Sequence, residues 1–83
     1  IPINDPFNER LRKEYGLDYD SARSPFNANG KLGYIAKDNG KEFVVIDGVK
    51  VSEEYNNISF ANEINGKLVY IAKKGLTYSV YEQ

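Results

Sequence analysis

Apolar and polar residues alternate with a period of two from about Ser21 to Tyr81, and short turn signals cut the alternation into pieces. Successive side chains of a strand point to opposite faces, so this pattern predicts strands. The cuts fall at Asn29-Gly30, Asn39-Gly40, Asp47-Gly48 and Asn65-Gly66. These pairs suit the type I′ hairpin turn, whose two central residues both need positive φ. A meander of short antiparallel strands follows, placed at 22–27, 31–37, 42–47, 49–53, 57–62, 67–73 and 76–82. In the third, Phe43 and Val45 share one face while Val44 and Ile46 share the other. A strand apolar on both faces is expected to be covered on both sides.

The period differs before Gly16. Phe7, Leu11 and Tyr15 recur every four residues and form one apolar stripe, Asp5 suits the cap, Pro6 the first helical position and Gly16 the position past the end. The N-terminal segment 1–18 is therefore expected to carry a short amphipathic helix over about 6–15, with Glu9, Arg10, Arg12, Lys13 and Glu14 on its solvated surface.

One phrase occurs twice. Asn29-Gly30-Lys31-Leu32-Gly33-Tyr34-Ile35-Ala36-Lys37 returns as Asn65-Gly66-Lys67-Leu68-Val69-Tyr70-Ile71-Ala72-Lys73, and only Gly33 and Val69 differ. The same offset of 36 residues pairs Tyr19-Asp20 with Tyr55-Asn56. A repeat of this period marks stacked supersecondary units. Residues 19–83 are read as one β-repeat domain, with a first unit at 19–54 and a partial second at 55–83.

The run from Ser24 to Ala36, with Ser24-Pro25-Phe26 leading into Asn29-Gly30-Lys31-Leu32-Gly33-Tyr34-Ile35-Ala36, resembles the blade signature of TolB-type β-propellers, relatives of the WD-repeat propellers. Asn29 stands where that family usually has Asp, and Ala28 where it has Pro. The resemblance covers about residues 19–83 and implies four-stranded blades set around a channel. The second unit stops before a fourth strand, and two blades cannot close a ring, so one apolar face and one strand edge need cover. Self-association, capping by the Phe7, Leu11 and Tyr15 stripe, or a place within a longer propeller would each supply it. The chain starts at Ile1 and holds no methionine, as expected of a processed or excised form with a longer parent.

Composition narrows the chemistry. The chain has 83 residues, no cysteine and no histidine, with 11 Lys plus Arg against 12 Asp plus Glu. Disulfides and thiolate metal sites are excluded, and so is the commonest general base. Mixed charge predicts neither nucleic acid nor membrane as a partner, and no apolar run approaches the roughly 18 residues that span a bilayer. The serines lack a glycine-flanked elbow. Glu53 and Glu54 are adjacent and would face opposite ways, which bars joint action on one bond. Asp18 and Asp20 could share a side and form a weak metal site, although Asp20 also suits a turn or strand-end cap.

Seven tyrosines and four phenylalanines are many for this length. Tyr34, Tyr70, Phe43 and Tyr78 are expected in the core, whereas Tyr19, Tyr55 and Tyr81 at strand ends could form an aromatic contact surface. The sequence therefore predicts an all-β protein, an antiparallel meander of two propeller-blade-like repeats preceded by a short amphipathic helix. Its expected role is that of a non-catalytic protein-interaction or scaffold module that self-associates and needs no cofactor. The alternatives are a small-ligand, sugar or calcium binding domain, with Asp18, Asp20 and Asn27 converging on a pocket, or a fragment of a larger propeller enzyme.

Overall fold

A computed structural model describes residues 19–83, and the stripe of Phe7, Leu11 and Tyr15 lies outside the described residues. The described chain is all-β and forms two antiparallel sheets. The first contains β1 (Ser21–Ala28), β2 (Lys31–Asp38), β3 (Lys41–Ile46) and β4 (Val49–Lys50), and the second β5 (Asn57–Ile64), β6 (Lys67–Lys74) and β7 (Thr77–Glu82). Strands lie side by side in chain order in both sheets. The Asx-Gly pairs make the hairpins as expected: Asn29 and Gly30 have φ of 55° and 85°, and the other three pairs are alike.

The strands that carry the repeated phrase pair alike in the two sheets. Residues 36 apart occupy equivalent ladder positions, with Ala22 opposite Ala36 and Ile58 opposite Ala72. Both first strands carry a bulge near the same place, between Arg23 and Phe26 and between Ile58 and Phe60. Asp20 Oδ2 accepts a hydrogen bond from the Asn39 N–H at 3.1 Å, and its equivalent Asn56 Oδ1 accepts one from the Gly75 N–H at 3.1 Å. The Tyr-Asp and Tyr-Asn pairs are thus caps that each tie a unit's entry to its second hairpin.

The one difference between the repeated phrases has a steric cause. Phe26 stands opposite Gly33, and a Cβ built on Gly33 would meet the Phe26 ring at 2.5 Å. In the second unit the equivalent pair is Asn62 opposite Val69. Large-over-small in one unit is replaced by small-over-large in the other.

The fourth strand is shorter than the pattern suggested. β4 ends at Lys50, because the Ser52 hydroxyl, where the ladder bulges, takes the Val44 N–H at 2.8 Å. Pairing with β3 resumes at Tyr55, whose N–H and C=O bond Glu42 at 2.8 and 2.9 Å.

The two faces of the first sheet have different neighbours. Ala22, Tyr34, Ala36, Phe43 and Val45 form one buried cluster, with Tyr19 and Leu32 packed against it. Ile35, Val44, Phe26 and Ile46 on the opposite face pack on Ile58, Ala61, Leu68, Tyr70 and Ala72 of the second sheet. β3 is therefore apolar and buried on both sides, as its sequence requires.

A polar clamp fixes the sheets together. Glu42 shares a face with Val44, and its Oε1 accepts from Arg23 Nη2 at 2.8 Å, from the Ile58 N–H at 2.6 Å and from Asn57 Nδ2 at 3.3 Å. Arg23 Nη2 also donates to the Ile58 carbonyl at 2.7 Å. Both backbone groups of Ile58, on the edge of the second sheet, are thus satisfied by side chains of the first.

Two measurements test this account. Glu42→Ala strands the Ile58 N–H and the Arg23 charge, and is expected to cost about 3 kcal/mol by urea denaturation, with Glu42→Gln costing less. Gly33→Val is expected to cost about 2 kcal/mol by displacing Phe26. Adding Phe26→Asn, which imports the second unit's pair, should recover about 1 kcal/mol of that loss, and strict additivity would refute the contact.

Candidate interaction surface

The second sheet has a face that the first does not cover. On β6 Val69, Ile71 and Lys73 alternate with the buried Leu68, Tyr70 and Ala72, and are half-buried. Phe60 and Ile64 flank them on β5, 40% and 46% exposed. On β7 the same face carries Tyr78 and Val80, 52% and 69% exposed, with Glu82 beyond. Tyr78 was expected in the core; it is exposed because its strand ends the sheet and nothing among the described residues lies over it.

The repeat shows what this surface is equivalent to. Ile71 and Val80 are the counterparts of Ile35 and Val44, which the second sheet buries in the first. Tyr78 is the counterpart of Glu42, the hub of the clamp. The edge of β7, unoccupied among the described residues, corresponds to the edge of β3, which β4 and Tyr55 occupy. Leu68 and Gln83 exchange N–H···O bonds at 3.1 and 2.8 Å, and such pairs alternate along an antiparallel ladder. The backbone groups of Tyr78, Val80 and Glu82 consequently point away from β6.

Charge at this surface is balanced and local. Lys73 Nζ lies 5.8 Å from the Tyr78 ring centre, the Tyr78 hydroxyl donates to Asn57 Oδ1 at 3.4 Å, and Lys67 pairs with Glu82 at 3.1 Å.

The tyrosines singled out by the sequence divide into two places. Tyr55 and Tyr81 meet Tyr70 between the sheets, with ring centroids 5.1 to 5.8 Å apart. The Tyr55 and Tyr70 hydroxyls lie 3.1 Å apart in a hydrogen bond, and Tyr55 is only 3% exposed. Tyr19 stands apart, edge-on to Phe43 at 5.2 Å on the other side of the first sheet. Burial first, then the Tyr70 hydroxyl, pushes the Tyr55 pKa well above the ordinary tyrosine value. Burial, with Tyr19 beside it, raises Tyr34 in the same direction.

Asp18 lies outside the described residues; Asp20 immediately precedes β1 and Asn27 is near its far end, so the strand holds them apart. Among the described residues no group of three carboxylates could hold a metal. An open hollow of about 440 Å³ is lined by Pro25, Phe26, Asn27, Gly30, Lys31 and Leu32, but Asn27 Oδ1 already accepts from the Gly30 N–H at 2.7 Å. Ser52 is also committed, donating to the Glu53 carbonyl at 2.9 Å. Glu54 is paired with Lys50 at 2.6 Å.

Sequence reasoning missed the clamp and the open face of β7. Both had a signal: Glu42 alternates in phase with Val44 and Ile46, so its charge falls on a covered face, and Tyr78 and Val80 occupy the same phase one repeat later. No protein-family model, curated protein or solved structure matches this chain.

The raised tyrosines set an alkaline limit. A folded pKa above the unfolded one means that stability is complete below about pH 10 and declines as pH rises further. Tyr34 and Tyr55 are expected to ionise only as the protein unfolds, so the last part of the tyrosinate absorbance should appear together with the loss of β-sheet circular dichroism above that pH. Full tyrosine ionisation with the fold intact would contradict their burial.

Proposed function

We propose that this chain is a non-catalytic protein-interaction module, two blade-like β-repeat units that bind protein, including further copies of the chain, through the open side of the second unit. One observation carries this reading. The face bearing Phe60, Ile71, Tyr78 and Val80 is the repeat-equivalent of the face that the first unit buries against its neighbour, and here it is exposed. A contiguous apolar face on a folded domain marks a contact site. The resemblance to propeller blades supports the same reading, because blades are built to stack. The committed polar groups of Asp20, Asn27 and Ser52 favour contact over chemistry.

Light scattering on a sizing column, from the lowest detectable to millimolar concentration, tests the self-association in this proposal. The mass is expected to rise above that of one 9.4 kDa chain and to fall back on dilution. A mass that stays at one chain throughout would overturn it.

A further inference from the structure

Edge strands of soluble proteins normally carry a device that discourages pairing: a bulge, a proline, an inward charge or very short length. The described strands follow this rule with one exception. β1 has a bulge and Pro25, β5 has a bulge, and β4 is two residues long and followed by the Ser52 irregularity. β7 has none of these. Its Thr77-Tyr78-Ser79-Val80-Tyr81-Glu82 run is regular, rich in β-branched and aromatic residues, and free of proline and lysine.

We infer that β7 pairs antiparallel with β7 of a second copy of this chain, with Val80 on the two-fold axis. The inference rests on the self-association proposed above and names the strand and register. Three observations select this occupant. Tyr78, Val80 and Glu82 turn their backbone N–H and C=O groups outward, and centring on Val80 pairs Val80 with Val80 and Tyr78 with Glu82 of the second copy. The equivalent edge of β3 is already taken by an antiparallel segment, so this edge geometry accepts such a strand.

The third is charge. Lys73 lies beside Tyr78 and Glu82 at the other end of the same edge. Antiparallel pairing brings Glu82 of one copy toward Tyr78 and Lys73 of the other, whereas parallel pairing would set Glu82 against Glu82. The same register aligns Phe60, Ile71 and Val80 with their counterparts in one apolar row across both copies. The packed sheets approach each other most closely at β1 and β5, away from this edge. Two three-stranded sheets would thereby become one continuous six-stranded sheet, closed at two chains.

Sedimentation equilibrium on the full chain and on Val80→Lys tests this, because two lysines on the axis would repel. The wild type is expected to form a dimer, and Val80→Lys to raise the dissociation constant at least about tenfold with unchanged circular dichroism. The chain has no cysteine, so Val80→Cys offers a second readout independent of that variant's folding. It should form a disulfide-linked dimer on mild oxidation. Val49→Cys, 60% exposed on β4, should not. A dimer that survives in folded Val80→Lys, with no Val80→Cys cross-link, would overturn the β7 pairing and leave self-association standing. Assembly beyond two chains would overturn it as well, and a wild type that never associates would remove both proposals.

Discussion

The hydrogen bonds that join Ile58 to Glu42 and Arg23 hold this structure to one geometry. Two sheets packed through apolar side chains can slide or rotate at modest cost, because dispersion and burial are non-directional. A carboxylate that is almost fully buried cannot. Glu42 must keep its donors, and they come from β1 of its own sheet and from the backbone of β5 in the other. The second sheet is therefore docked by its first strand, and the apolar cluster of Ile35, Val44, Ile58 and Tyr70 closes in the register the clamp sets.

The clamp also explains why the two units are alike in backbone and unlike in outer chemistry. The Asx-Gly turns, the first-strand bulge, the entry cap and the Leu-x-Tyr-Ile-Ala strand recur, since each makes one sheet. What differs is what each sheet turns toward its next neighbour. The first unit offers Phe26 over Gly33, Glu42 and Val44, all engaged with the second. The second offers Asn62, Tyr78 and Val80 at the surface, with Val69 half-buried beside Asn62. Tyrosine at position 78 joins apolar area to a polar tip, which lets it stand half in water without a buried charge.

Exposure of an apolar face and an unguarded strand edge on one sheet is a conjunction that folded chains usually avoid. In this molecule both belong to the unit whose repeat-equivalent is complete. Val80, whose counterpart Val44 is buried between the sheets, lies at the surface, and Ile71, the counterpart of Ile35, is half-buried.

Much of the fold was legible in the sequence because its determinants are local. Alternation places side chains on faces, Asn-Gly and Asp-Gly demand positive φ, and a repeated phrase must fold twice in the same way; each of the seven strands overlaps the span that reading gives it, β4 over two residues only. The early end of β4 was not legible, because a serine hydroxyl replaced a backbone partner. Which tyrosines are buried and which are exposed was not legible either. Tyr55 and Tyr81 look like surface tyrosines at strand ends, yet they lie between sheets, while Tyr78 looks like core and is exposed. Periodicity assigns a residue to a face, but only the docking of one sheet on another decides which face meets protein and which meets solvent. That docking depends on the long-range bonds that join Ile58 to Glu42 and Arg23, residues that no local pattern connects.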